Sequence, residues 1–323
     1  MKQLLVTYDD LYLDWLLGKG DGSHPTNPVR AQLATALLKK RLGERVRVIH
    51  PQPADKVETD KRAMLLVHDG NYVSRTLAGT NGEWYENKPS VAAAGCAMFG
   101  GTMRAVEALL TGEALVVFNP QGAKHHARRA SGSGFCVFND MAAAALLLQA
   151  QGLKVLYIDW DIHAGDGVMH LLEASGIPCI SIHLASGYPA DSTMQTGVAG
   201  ELHNPEKHQY NFNVEHGAND EVFMACIDAA ADIIDKYQPD VILLAAGADG
   251  HTGSGNLGQL ANYTGKGYRY AAQMIAQKAN AYAQGRVIIG GAGGYQPLKE
   301  TPETWALVVE EIYNTVCTTD RRN

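Results

Sequence analysis

The sequence predicts an α/β fold: a single domain over residues 1–323, with a parallel β-sheet of about eight strands and helices on both faces. Three observations predict it. Short apolar runs alternate with longer stretches of helical composition almost throughout, and parallel strands need such crossovers. The runs at 155–158 and 241–246 are apolar at consecutive positions, as in strands buried on both faces. No linker, internal repeat or low-complexity segment divides the chain.

The elements follow in order. Residues 3–8 read as a first strand, and a loop rich in Gly and Pro spans 18–28. Residues 30–42 have helical spacing, 45–50 form a second strand, and 63–68 form another short element. His68-Asp69 opens a helix with Asp69 at its N-cap. A polar loop at 79–90 carries Trp84 and Tyr85, and 92–110 is helical and rich in small residues. A strand at 114–119 leads to His125-His126, and a helix at 140–150 is capped by Asn139 or Asp140. The central strand follows at 155–158, then a helix at 168–174 and a strand at 177–183. A long loop runs through Gly200 to a strand at 210–214. A helix at 220–237 stops before Pro239, a strand follows at 241–246 and a long helix at 265–284. A last strand at 286–291 precedes a closing helix at 301–315, and 318–323 is expected to fray.

Composition narrows the function. Hydrophobic residues make up 46% and charged residues 19%, the balance of a globular protein. The net charge is −7, and no Lys/Arg block exceeds a pair such as Arg128-Arg129, so nucleic acid is not an expected partner. The five cysteines are scattered without a C-x-x-C pair, which fits free thiols in a reducing compartment and argues against a cysteine zinc site. The N-terminal apolar run is too short for a signal peptide, and no run of about 18 apolar residues offers a membrane span. These features point to the cytoplasm and to no membrane partner.

Polar clusters recur where four strands end: His125-His126, Asp159 to Asp166, Gly247-Ala248-Asp249 and Gly293-Gly294-Tyr295. In open α/β sheets the crevice beyond the carboxyl ends of the strands is where sites are built. Side chains two apart in an extended chain point the same way, so Asp159, Asp161 and His163 start on one side. Asp161, His163 and Asp249 supply two carboxylates and one imidazole, the donor set of an open three-ligand metal site. The adjacent pair His125-His126 suits proton transfer, with Asp159 and Asp166 left to orient the rings. Tyr295, after a glycine turn, could donate its hydroxyl to a developing oxyanion. Phe135 and Tyr188 put aromatic rings on two loops at this edge, a slot for an aliphatic chain. Each has a plainer reading: Asp249 as a turn residue, the histidines as solvent-facing, the aromatics as core.

In this order and spacing the motifs resemble those of the arginase/deacetylase superfamily. The likeness is to histone deacetylases and bacterial histone-deacetylase-like amidohydrolases, including acetylpolyamine amidohydrolases and acetoin-utilisation proteins. It is carried by His24-Pro25-x-Asn27-Pro28-x-Arg30, His68-Asp69-x-x-Tyr72-Val73, Lys124-His125-His126-Ala127, Gly134-Phe135-Cys136-x-x-Asn139-Asp140, Asp159-Trp160-Asp161-Ile162-His163, Gly247-Ala248-Asp249 and Gly293-Gly294-Tyr295. The resemblance runs from about Tyr8 to Trp305. It implies an arginase/deacetylase-like fold and one catalytic Zn²⁺ on Asp161, His163 and Asp249, with Fe²⁺ as the other candidate metal. It implies His126 as general base and then acid, with His125 as its electrostatic partner. Asp159 would pair with His125, and Asp166 with His126. Tyr295 would polarise the scissile carbonyl, Phe135 and Tyr188 would wall a tunnel, and the Gly134 carbonyl would hold the substrate amide. A structural K⁺ would sit on Asp159, Asp161, His163 and groups around Ser181 and Ile182.

The implied reaction removes an acetyl or other acyl group from an amine such as acetyl-lysine or an acetylated polyamine. The alternatives are an arginase-like binuclear metal hydrolase and a dedicated small-molecule deacetylase. A homo-oligomer is compatible with either. The sequence departs from the family pattern at several places. Ala164 replaces a histidine, Lys124 stands where Gly or Trp is usual, and Gln296 follows Tyr295 where Asn is common. The loop 190–200 is longer than the family's glycine turn, and Glu86 is the nearest counterpart of its substrate-gripping Asp.

Overall fold

In the computed structural model, which describes residues 2–18, 21–51, 56–81, 88–185, 204–255 and 260–319, the apolar runs become eight strands. They are β1 (Leu4–Thr7), β2 (Val46–Ile49), β3 (Val116–Asn119), β4 (Val155–Asp159), β5 (Cys179–Leu184), β6 (Gln209–Val214), β7 (Val241–Ala245) and β8 (Val287–Gly290). All pair in parallel in one sheet, in the order β2-β1-β3-β8-β7-β4-β5-β6. The helices are α1 (Val29–Leu42), α2 (Val57–Val67), α3 (Gly70–Leu77), α4 (Pro89–Leu110), α5 (Asp140–Ala150), α6 (Asp166–Leu172), α7 (Asp220–Tyr237), α8 (Gly265–Tyr282) and α9 (Glu300–Thr319).

Alternation along each buried strand feeds two cores. Tyr157, Leu243 and Ile288 face one side, where α2, α4, α5 and α6 supply Met64, Met98, Met141 and Leu172, and the segment before α5 adds Phe138. Leu156, Ile158, Leu244 and Ile289 face the other, packed on Ile227, Tyr268, Trp305 and Ile312 from α7, α8 and α9. This explains the consecutive apolar residues: every position in Val241–Ala245 is buried. Each such Val, Ile or Leu contributes about 1.5–3 kcal/mol by leaving water.

Two expectations shift. The element at 63–68 is the end of helix α2: Ala63, Met64 and Val67 form the buried stripe, while Leu65 and Leu66 stay 45% and 44% exposed. The closing helix runs on to Thr319, because Val316 and Cys317 still pack into the core. Among the described residues no helix is long and apolar enough to cross a membrane.

The strand order decides where the site falls. β3, β8, β7 and β4 are neighbours at the centre of the sheet, so the four polar clusters predicted from the sequence meet at one edge. At β3–β8 and β7–β4 the neighbouring strands are not consecutive in the chain, the switch points at which open α/β sheets leave crevices.

Candidate active site

Beyond β4 the chain keeps its alternation. Trp160 and Ile162 turn into the core, while Asp159, Asp161 and His163 turn to the site. Asp159 Oδ1 accepts the Asp161 N–H (2.9 Å), and Asp161 Oδ1 accepts the His163 N–H (3.0 Å). Asp249, after β7, accepts the Ile162 N–H (3.0 Å), which ties the two strand ends together. His163 Nδ1 then lies 3.0 Å from Asp161 Oδ1 and 2.9 Å from Asp249 Oδ2. One donor atom from each of the three residues lies within 4.8 Å of the others. Glycine permits this approach. A Cβ on Gly293 would sit 2.3 Å from Asp249 Oδ2, and one on Gly247 would sit 2.4 Å from Asp161 Cα.

The electrostatics ask for a cation. Burial disfavours charge on His163, yet hydrogen bonds to Asp161 and Asp249 carry its pKa up to about 10. Burial also opposes ionisation of Asp161, but His125 and His163 hold it well below the usual carboxylate range. Burial and the charge of Asp161 push Asp249 up to about 7. Two buried carboxylates crowded on one imidazole are a donor set that would suit a divalent ion.

The two histidines sit in the segment after β3, held from several sides. Asp140 accepts the Ala123 and Lys124 N–H groups (2.9 and 2.8 Å) and the Thr102 hydroxyl (2.5 Å). The Asn139 side chain caps α5 through the Ala142 N–H and donates to Ala127 O (3.0 Å). The Val168 N–H donates to His125 O (3.1 Å). His125 Nδ1 donates to Asp159 Oδ2 (2.7 Å), and His126 Nδ1 to Asp166 Oδ1 (2.5 Å), with the two rings 4.0 Å apart. Burial opposes charge on both rings. At His125 the charges of Asp159 and Asp161 win and raise the pKa to about 9. At His126 burial and the charge on His125 win and lower it.

Tyr295 lies half-buried with its ring 5.9 Å from that of His163, edge-on. Ser133 and Cys136 exchange backbone hydrogen bonds around Gly134 and Phe135, both at positive φ (50° and 62°). This is the backbone of a tight hairpin turn, strained at Phe135 because the residue carries a Cβ. The turn sets the Phe135 ring 4.8 Å from that of His24. One small cavity is walled by Arg30, Lys124, His125, Phe135, Asp161 and Tyr295. A broader apolar cleft between α2 and α4 is lined by Ala63, Met103 and Val106, with no histidine.

Tyr188, Glu86 and the loop 190–200 lie outside the described residues. Four residues acquire positions that composition and spacing did not suggest. Arg30, buried, donates from Nη1 to Gly294 O (2.6 Å) beside Tyr295 and lies over the Trp305 ring. His68 donates from Nδ1 to Arg128 O (2.8 Å) and accepts the Asn139 N–H at Nε2 (2.9 Å). Arg128 reaches Asp166 Oδ2 (3.1 Å), and Asp140 anchors the histidine segment. Arg30, His68 and Asp140 belong to the motifs that carried the resemblance, which was the available signal. Asp69 occupies the N-cap position of α3 without a side-chain cap.

The central edge of this parallel α/β sheet thus carries a buried carboxylate–imidazole set and two His–Asp pairs. The chain belongs to the family described as "Histone deacetylase domain", which it matches over residues 24–312. It is 30% identical to the "Acetoin utilization protein AcuC" of Bacillus subtilis (strain 168), over 97% of this chain and 82% of that protein. The protein of the same description from Staphylococcus aureus (strain MRSA252) is 27% identical, over 95% and 82%. A "Probable deacetylase" of Archaeoglobus fulgidus is 30% identical over 64% of this chain and 57% of its own length.

Proposed function

We propose that the protein is a zinc-dependent amidohydrolase that removes an acetyl or related acyl group from a primary amine on a flexible stem. The observation that carries this reading is the pair of buried His–Asp contacts beside the set Asp161, His163 and Asp249. Asp161, His163 and Asp249 would hold the Zn²⁺, which would supply Lewis acidity toward the scissile carbonyl and the attacking water. His126, neutral and fixed at Nδ1 by Asp166, takes the proton of the attacking water at Nε2 and passes it to the leaving amine. His125, held charged by Asp159, favours the negative charge that develops on the carbonyl oxygen. Tyr295 donates its hydroxyl to the same oxygen.

Phe135 lies along the acyl-bearing stem, and the Gly134 carbonyl, met among the described residues by Cys136 Sγ at 3.4 Å, accepts the substrate N–H. Asp159 and Asp166 serve better as partners of the histidines than as ligands of a second ion, which favours one catalytic metal over two. A structural K⁺ would draw on Asp159 and the Ser181 region, which face each other across β4 and β5. The net charge of −7, with Glu83 and Glu86 in the polar stretch 79–90, supports amines with a distal cation. Each exposed contact of that kind contributes about 1 kcal/mol or less.

The test measures amine release from acetyl-lysine peptides, acetylated polyamines and neutral alkyl acetamides of equal length, before chelation, after it, and after Zn²⁺ is restored. Metal-dependent cleavage with cationic amines ahead is expected. Full activity in a metal-free preparation overturns the mechanism, and equal rates on neutral amides overturn the cation preference.

A further inference from the structure

Two cations in the wall of the catalytic cavity take no part in the chemistry above: Arg30 and Lys124, both buried. Among the described residues neither forms an ion pair. Arg30 donates to Gly294 O and lies 5.1 Å from the Trp305 ring centre, with its Nε unpartnered. Lys124 Nζ meets only Gln121 Oε1 at 3.5 Å and the Trp15 ring at 5.5 Å. Asp140, whose charge reaches Lys124, is spent on Thr102 and two backbone N–H groups. Asp161 belongs to the ligand set. Burial, with Arg30 nearby, outweighs the charge of Asp140 and pulls the Lys124 ammonium down to about 8. A buried cation lacking a partner is costly, and a cavity walled by two of them accommodates an anion.

That cavity also has His125, Asp161 and Tyr295 in its wall, so the anion comes within reach of the reacting carbonyl. We propose that Lys124, with Arg30 beside it, makes the enzyme select acyl groups that end in a carboxylate, of the malonyl or succinyl kind. This rests on the amide-hydrolysis reading. The balance is that of any amide: water oxygen bonds to the acyl carbon, the C–N bond breaks, the amine takes the proton, and the acyl part leaves as a dicarboxylate.

The zinc-loaded protein is assayed on succinyl-lysine and butyryl-lysine peptides, which share a four-carbon acyl chain and differ in charge. A charge-assisted contact predicts kcat/KM about tenfold or more in favour of succinyl. Lys124→Met should reverse the ratio and Lys124→Arg should keep it. Calorimetric titration with succinate should show binding that weakens about tenfold in Lys124→Met. The wild-type ratio and titration stand even where the Met variant fails to fold. Butyryl cleaved as fast as succinyl by the wild type, or a ratio and succinate affinity untouched by Lys124→Met, overturns the proposal. If no acyl amide is cleaved, the hydrolase reading has failed, and the succinate titration alone then decides the anion site.

Discussion

The two His–Asp pairs are built from the same residue types four ångströms apart, yet they hold their protons differently. Asp159 is fully buried: its Oδ2 accepts from His125 and from the Tyr157 hydroxyl (2.6 Å), and its Oδ1 from the Asp161 N–H. With Asp161 adding a second negative charge, His125 is driven to the charged form. Asp166 instead shares its charge with Arg128, and His126 feels the positive charge of His125 next to it. Burial is common to both, so the neighbours decide. Two titratable groups pushed apart in this way make one fixed charge and one usable base.

The largest effect should come from removing the field that both pairs face. Chelation, or Asp249→Ala, is expected to reduce amide hydrolysis to background, with Zn²⁺ restoring the chelated protein alone. Retained turnover in Asp249→Ala would detach both pairs from a metal. Next, His126→Ala should lower kcat by about 10²–10⁴, the range of a lost general base. His125→Ala should lower it less. Equal, small losses would erase the contrast between the pairs and leave them structural.

Much of this edge was legible in the sequence. Period-two spacing put Asp159, Asp161 and His163 on one side, and each cluster followed an apolar run. What spacing does not carry is strand order, which depends on how α-helical crossovers pack and which makes β3, β8, β7 and β4 neighbours. Nor does it reveal long-range partners: Arg30 meets Gly294 264 positions away. The continuous apolar run at 63–67 gave only a short element of no stated type, because the exposed Leu65 and Leu66 mask the helical spacing of Ala63, Met64 and Val67. The charge of Lys124 was plain, but its burial was not, since burial comes from Trp15 and the turn at Cys136.

Tyr295 offers a test that leaves both pairs in place. Tyr295→Phe should lower kcat by about 10²–10³ with KM little changed, as for one oxyanion donor. A change confined to KM would make Tyr295 a binding residue and throw more of the oxyanion's charge onto His125.

The smallest predicted effect is the sharpest probe of the contrast. Arg128 is 31% exposed at its side chain and lies on Asp166 Oδ2, opposite the oxygen that holds His126. Its positive charge offsets the carboxylate that would otherwise raise the pKa of His126. His126 works as a base in its neutral form, so activity falls as pH drops through its pKa. In Arg128→Gln the full charge of Asp166 acts on His126 and its pKa rises. The acid limb of kcat/KM should therefore move to higher pH, by an amount limited by partial solvent screening of Arg128. The plateau above it should change little, and Arg128→Lys should restore the original limb. A limb that stays put in Arg128→Gln would mean that Arg128 only braces the segment held by His68, and that burial and the charge on His125 keep His126 neutral.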